Sequence, residues 1–277
     1  MLSGLFACLA RVKVTVCYAV TVTSVAAVMS TMDPDSHDAL IRHASTNLHN
    51  LSHGRLGTLV GSALVVDSGP IYLWLPGLVC LLALAELLWG SGRLAVAFGV
   101  GHIGATLAVA AGLVVAVRLG WMSASVAHAP DVGMSYGAMA VVGSLVSAMP
   151  SRGRVVWAGW WLAVAAVVVA SPGRDFTDVG HAVAMVLGMA VSTRFGVPSR
   201  WTPMTATLST FAAVFGFLIL ADDIVTMVFG ALSAPVGLLV HEVFSRRRRS
   251  GAPDATRGAP REGAPRGRVG CYLTSTK

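Results

Sequence analysis

Two side chains of this 277-residue sequence have the types and the placement that acyl-transfer chemistry requires. Ser135 lies in the segment 131–137, DVGMSYG, and His181 ends the segment 178–181, DVGH. Each segment leads into an apolar run, so each side chain is expected near the start of a helix. A serine hydroxyl with a histidine general base is the smallest nucleophile pair for acyl transfer. The sequence therefore predicts Ser135 and His181 as catalytic residues, provided that the helices bring them to the same depth.

The composition is that of an integral membrane protein. Hydrophobic residues make up 55% of the chain, charged residues make up 12%, and the mean hydropathy is +0.72. Soluble domains carry about 25% charged residues. The apolar runs approach the roughly 20 residues that cross a bilayer as a helix, and they lack the alternation of barrel strands. We therefore predict an all-α, polytopic fold whose surroundings are the lipid bilayer.

The net charge of +7 comes from the C-terminal tail. From Ser245 onward there are nine basic and two acidic residues, so the rest of the chain is neutral. A basic cluster beside a membrane span is typical of a cytoplasmic topology anchor that favours anionic lipid, and no nucleic-acid partner is predicted. Two lysines stand against eighteen arginines, a bias that indicates a GC-rich bacterial genome.

Eight apolar runs are predicted to span the membrane. Their bounds are 14–30, 71–89, 94–117, 131–149, 155–170, 179–192, 204–220 and 224–243. A further run, 56–66, is too short to cross and is expected to be interfacial or re-entrant. The predicted organisation is a first transmembrane helix and outer loop (1–53), a core (54–192), additional transmembrane helices (193–245) and a disordered basic cytoplasmic tail (246–277).

The distribution of charge predicts the orientation of these spans. The loops predicted to face inside carry arginines, whereas nine aspartates lie in segments predicted to face outside. This pattern is typical of a multi-pass protein of the cell (inner) membrane with both termini cytoplasmic. The fourth and sixth spans then run in the same direction from the outer side. At 1.5 Å rise per residue, Ser135 and His181 are each expected about 5 Å below the start of their helix.

Several short motifs, in their order and spacing, carry a resemblance to a known family. Residues 54–64, GRLGTLVGSAL, and residues 86–94, ELLWGSGRL, are two of them. They are similar to the segment before the second helix of rhomboid intramembrane serine proteases and to the turn between the second and third helices of that family. Together with the motifs around Ser135 and His181, they make residues 54–192 resemble a rhomboid.

The serine and histidine motifs complete this resemblance. Gly133-Met-Ser135 matches the family's Gly-x-Ser nucleophile motif. His181, with Gly188 seven residues later, matches the histidine helix, where the glycine permits close packing against the serine helix. The resemblance implies a rhomboid-like six-helix core, followed here by two additional C-terminal transmembrane helices.

The resemblance also implies a function: an intramembrane serine endopeptidase that cleaves transmembrane substrates with the dyad of Ser135 and His181, without a cofactor or metal. Tyr136 replaces the small residue that the family has after the serine, and Tyr72 and Pro76 stand where the family has oxyanion-hole donors. Tyr72 can donate a hydrogen bond and proline cannot. These departures indicate a divergent branch. Two alternatives stay open: a catalytically inactive rhomboid-like protein that binds transmembrane clients, and a small-molecule or ion transporter.

Other histidines offer less specific signals. His102, in the segment 99–104 (GVGHIG), is expected in the inner half of the third span, far in depth from Ser135. Its expected role is an interhelical hydrogen bond, with a proton relay as the alternative. His49 and His53 have the i, i+4 spacing of zinc ligands, but neither an HExxH pattern nor a cysteine accompanies them. No metal site is therefore predicted.

Overall fold

The computed structural model describes residues 9–66, 71–171, 175–196, 198 and 201–220. Within these ranges the chain forms ten α-helices, two 3₁₀ helices and no strand, which confirms the all-α class. The α-helices are α1 Lys13–Met29, α2 Pro34–Ala44, α3 Leu48–Ser52, α4 Thr58–Gly61, α5 Ile71–Trp89, α6 Ser91–Arg118, α7 Ser135–Ser144, α8 Ser151–Ala170, α9 Phe176–Ser192 and α10 Pro203–Leu220. The 3₁₀ helices are Ala124–His128 and Leu145–Ala148, and the second continues α7.

Four of the described helices are long and apolar enough to cross a bilayer: α5, α6, α8 and α10. Helices α1 and α9, and α7 with its 3₁₀ continuation, are also apolar but shorter. Seven of the eight predicted spans thus coincide with apolar helices. The eighth, 224–243, and the tail, 246–277, lie outside the described residues. The protein is a polytopic α-helical membrane protein.

Helix α7 lies at the centre of the helix bundle. All its residues from Tyr136 to Ser144 are buried. Helices α5, α10, α8, α9 and α6 follow one another around α7 and its 3₁₀ continuation, and α1 packs on the outside against α5 and α6. Helix α10 belongs to this ring, because it packs between α5 and α8. Its Phe215 ring lies over Gly77 of α5, and its Gly216 lies against Val142 of α7.

Close packing of α7 with α6 and α9 depends on glycine. A Cβ atom on Gly188 of α9 would overlap the backbone of Ala140, and a Cβ atom on Gly143 of α7 would overlap the backbone of Met185. On α6, a Cβ atom at Gly101 would overlap the side chain of Ala140. Small residues let membrane helices approach to backbone contact. Helices α6, α7 and α9 therefore form a tightly packed group.

A buried carboxylate holds α1 against α5. The Glu86 side chain accepts hydrogen bonds from the N–H groups of Val14 (3.0 Å) and Thr15 (2.8 Å) and from the Thr15 hydroxyl (2.7 Å). It also accepts one from the hydroxyl of Ser91 (2.6 Å), the first residue of α6. Both N–H groups belong to the first turn of α1, where no intrahelical acceptor exists. Glu86 thus caps α1 from a neighbouring helix.

Residues 31–66, here called the cap, fold into three short helices that the sequence did not predict. Helix α2 begins after Asp33, whose carboxylate accepts a hydrogen bond from the Ser36 N–H (3.0 Å), as N-cap residues do. The buried Asn50 side chain of α3 donates to two carbonyl oxygens at the end of α2, at 2.9 and 2.7 Å. The cap is therefore an ordered unit with its own polar interior.

The helix that carries Ser135 begins later than predicted. Residues 131–134 are not helical, and Gly133 has a φ of +125°. That value is open to glycine and incompatible with a right-handed helix. The predicted start at Asp131 is therefore wrong by one helical turn, and a helical rise does not apply between Asp131 and Ser135.

Candidate active site

Ser135 is the first residue of α7 and is half-buried. The side chain of its N-cap residue, Met134, makes no capping hydrogen bond. The backbone N–H groups of a first helical turn have no intrahelical acceptor, and the helix dipole adds partial positive charge there. Negative charge that develops on an oxygen beside Ser135 would be stabilised by these groups.

His181 lies in the second turn of α9, and a capping box fixes where that helix starts. The Asp175 N–H donates to the Asp178 carboxylate (3.1 Å), while the Asp175 carboxylate accepts from the backbone of Asp178. The imidazole of His181 is buried, with 8% of the residue exposed. The capping box therefore places this ring inside the bundle, where ionisable groups are rare and usually functional.

The ring of Tyr136 lies between α7 and α9. Its centroid is 5.3 Å from that of His181, in an edge-to-face arrangement with an interplanar angle of 77°. A Cβ atom on Gly180 would overlap the same tyrosine ring. The start of α7, with Ser135, therefore lies beside the second turn of α9.

The cap holds the segment that precedes α7. The Gly133 N–H donates to the Ser62 carbonyl (2.8 Å), and the Thr46 N–H donates to the Asp131 carbonyl (3.0 Å). The Asp131 N–H donates in turn to the Ser45 hydroxyl (2.7 Å). Three hydrogen bonds thus fix the non-helical segment that leads into the candidate nucleophile.

His102 joins this region, which corrects the expectation that it lies far in depth from Ser135. Its Nε2 atom is 3.1 Å from the Ser62 hydroxyl oxygen, and that oxygen is 2.8 Å from the Thr46 hydroxyl. The centroid of its ring is 6.5 Å from that of Tyr136. The expectation was wrong because the cap packs against α6 at mid-length. The expected interhelical hydrogen bond is instead a bond to the cap.

The sequence predicted supporting roles for Tyr72 and Gly133, and the structure gives each of them a different position or contact. Tyr72, in the first turn of α5, is 71% exposed, so its side chain is not in the bundle interior where His181 is buried. Gly133 directs its N–H to the Ser62 carbonyl and so shapes the turn before α7.

Three histidine rings lie close together where the cap meets the 3₁₀ helix Ala124–His128. The His49 ring centroid lies 4.3 Å from that of His53 and 4.7 Å from that of His128. Loss of solvent contact, followed by the nearby His53, His128 and Arg55, lowers the pKa of His49. In the part of the chain that the structure describes, no three histidine, cysteine or acidic side chains are arranged to hold a metal ion.

The comparison with protein families agrees with this architecture. A family model described as a rhomboid-like protein matches residues 11–196, well over half of the chain. The chain belongs to the rhomboid-like family. The matched region runs from just before α1 to the end of α9 and therefore contains the cap, Ser135 and His181. No curated protein and no solved structure gives a significant match. The family predicted from the motifs is confirmed, and α10 lies beyond the matched region of this rhomboid-like protein.

Asp131 is expected to make the stability of this rhomboid-like protein depend on pH. Burial, followed by the nearby Asp175 carboxylate, raises the pKa of Asp131 from 3.8 to about 6. Between these values the folded state binds more protons than the unfolded state, so stability falls as pH rises through this interval. We expect Asp131→Asn to remove this fall and to raise Tm at neutral pH. Thermal unfolding in detergent across this pH interval measures both effects.

The matched control is Asp33→Asn at the start of α2. Hydrogen bonds from Ser36 lower the pKa of this exposed carboxyl, so its contribution to stability has the opposite sign and is lost as pH falls. Asp33→Asn should leave the Asp131-dependent change in Tm intact. Equal pH profiles for the native protein and for Asp131→Asn would contradict the assignment.

Proposed function

We propose that this rhomboid-like protein is a serine endopeptidase that cleaves transmembrane segments of substrate proteins, with Ser135 as the nucleophile and His181 as the general base. The observation that carries the proposal is the packing of Tyr136 against Gly180 and His181. It places the start of α7 beside the imidazole. A hydroxyl at a helix N-terminus, next to a buried histidine, is an arrangement suited to acyl transfer.

The proposed reaction needs only groups of the chain and water. His181 takes the hydroxyl proton of Ser135 as the serine oxygen attacks the carbonyl carbon of the substrate peptide bond. The backbone N–H of Ser135 donates to the oxyanion that forms. The imidazolium then protonates the leaving amine, and the peptide C–N bond breaks. A water molecule, deprotonated by His181, then attacks the resulting ester. The ester C–O bond breaks, the imidazolium returns the proton to the Ser135 oxygen, and the acid leaves.

The hydrogen bond between Ser135 and His181 that this reaction uses is expected to form as the substrate binds. Catalytic hydrogen bonds of unliganded enzymes are often long and tighten when the substrate binds. A substrate strand beside α7 would remove water from the Ser135 hydroxyl and leave His181 as its nearest base. The proposal does not use Tyr72, because that side chain is exposed.

Labelling with a fluorophosphonate probe in membranes or detergent tests the proposal. We expect the native protein to label, Ser135→Ala to abolish labelling, and His181→Ala to slow it by about 10²–10⁴-fold, the usual contribution of a general base. The control is Ser144→Ala on the same helix, because the Ser144 hydroxyl donates to the Val141 carbonyl and is fully buried. This variant should label like the native protein.

Two outcomes would reject the endopeptidase. The first is a folded native protein that the probe does not label. The second is labelling that survives Ser135→Ala. Either outcome leaves the family membership intact and favours the second candidate function.

The second candidate is a non-catalytic protein that binds transmembrane segments of clients. The contact of the Tyr136 ring with His181 supports it, because this ring takes space beside the imidazole that a reacting substrate would need. Co-purification of a transmembrane client with both native protein and Ser135→Ala, without cleavage by either, would support it over the endopeptidase.

We further propose the cell (inner) membrane as the location, with the cap on the outer side and both termini cytoplasmic. The arginine-rich inner loops in the sequence support this orientation. A membrane-impermeant thiol reagent applied to intact cells should therefore react with a cysteine introduced by Leu56→Cys in the exposed part of the cap. Reaction only after lysis would reverse the orientation.

A further inference from the structure

We propose that His102 is a positioning residue for Ser135 and acts through the cap residue Ser62. The inference deepens the endopeptidase proposal, and its catalytic meaning rests on that proposal. The structural claim is independent of it: the buried hydrogen bond between α6 and the cap sets where α7 begins.

The path from His102 to Ser135 consists of short buried contacts. His102, Ser62 and Thr46 are 4%, 1% and 3% exposed. The side chain of Ser62 contacts His102 Nε2, while its carbonyl oxygen accepts from the Gly133 N–H at 2.8 Å. One cap residue therefore meets α6 with its side chain and meets the segment before α7 with its backbone.

Proton counting assigns the direction of this chain of hydrogen bonds. The Thr46 hydroxyl lies 2.7 Å from the Thr58 carbonyl oxygen, which can only accept, so its single proton goes there. The contact of 2.8 Å between Thr46 and Ser62 then uses the Ser62 proton. Nothing but a proton on Nε2 remains for the contact of 3.1 Å between Ser62 and His102. His102 thus donates from Nε2, and it does not act as a base toward Ser62.

The cap anchors the start of α7, because the N-cap residue of that helix, Met134, makes no capping hydrogen bond with its side chain. The preceding Gly133 has a backbone conformation that favours glycine, and a chain segment of this kind is adaptable unless its partners hold it. Its hydrogen bonds go to the cap, so loss of the His102 contact would let the cap and the segment 131–134 shift together.

A thiol at position 135 reports this shift without any catalysis. In a background where the four native cysteines are replaced by alanine, Ser135→Cys is combined with His102→Leu, His102→Gln or Thr106→Val. We expect His102→Leu to raise the rate of reaction with a water-soluble maleimide about tenfold, the factor expected when one buried hydrogen bond is lost. His102→Gln keeps a donor near the Nε2 position and should restore a rate within about twofold of the parent.

Thr106→Val is the matched control, because Thr106 is buried on the same helix, one turn further along, and makes no side-chain hydrogen bond to the cap among the described residues. Ser62→Ala removes the same contact from the other partner and should raise the rate like His102→Leu, which keeps the test valid if one variant does not fold. Unchanged rates in a folded His102→Leu or Ser62→Ala protein would overturn the inference.

Fluorophosphonate labelling of the protein with its native Ser135 tests the proposed function separately. If Ser135 is the nucleophile, His102→Leu should lower the maximal rate of fluorophosphonate labelling while the pH midpoint, set by His181, stays unchanged. A changed thiol rate without any fluorophosphonate labelling would retain the positioning role and reject the endopeptidase. A shifted pH midpoint would contradict a purely positioning role.

Discussion

Removal of the buried carboxylate by Glu86→Leu is expected to separate α1 from α5 and to lower the free energy of unfolding by about 3 kcal/mol or more. Glu86 is 2% exposed and is the acceptor for two N–H groups of α1 and for two hydroxyl groups. Each buried donor left without an acceptor costs about 1–3 kcal/mol, and leucine accepts from none of them. Unfolding in mixed micelles with increasing dodecyl sulfate measures the loss.

The control for this prediction is Thr15→Val, which removes a single donor and leaves the carboxylate paired with the other three. Its expected cost is about 1 kcal/mol. If Glu86→Leu cost no more than Thr15→Val, the carboxylate would not be the main connection between α1 and α5.

The second large effect is expected from the addition of a single methyl group in Gly188→Ala. The new Cβ would overlap the backbone of Ala140, which cannot move aside as a flexible side chain can. Overpacking of this kind costs roughly 1–3 kcal/mol, although alanine favours a helix over glycine by about 1 kcal/mol. We expect the separation of α7 from α9 to abolish probe labelling as well. The same micelle titration and the fluorophosphonate assay provide the measurements.

Gly159→Ala on α8 is the matched substitution, because no atom lies within 4 Å of a Cβ atom built there. It should be neutral or slightly stabilising, since only the helix propensity changes. Equal stability of the two variants would show that α7 and α9 have room to separate without cost.

The sequence predicted which segments form membrane-spanning helices, because a helix exposed to lipid needs a long run of apolar residues. Residues 71–89 were predicted as a span, and α5 has the same bounds. The four motifs, at 54–64, at 86–94 and around Ser135 and His181, predicted the family through their order and spacing. The sequence did not predict that the helix starts at Ser135. The φ of Gly133 depends on the hydrogen bond to Ser62 and not on the pattern of apolar residues.

The contact between His102 and Ser62 could not be derived from the sequence for a related reason. A histidine inside an apolar helix indicates that a buried partner exists, but it does not say which element supplies it. The partner is forty residues away in a segment expected to be interfacial. Only the folding of the cap against α6 brings the two together, and helices as short as those of the cap leave a weak periodic signal.

The position of α10 has a consequence for how the protein is made. Chains are synthesised from the N-terminus, so α5 and α7 emerge from the ribosome before α10 does. Until then, the surface around Gly77 and Val142, which Phe215 and Gly216 later cover, faces lipid or an insertion factor. During synthesis, the surface of the helix bundle next to α7 is therefore uncovered on one side. Helix α10 of the same chain covers this surface later.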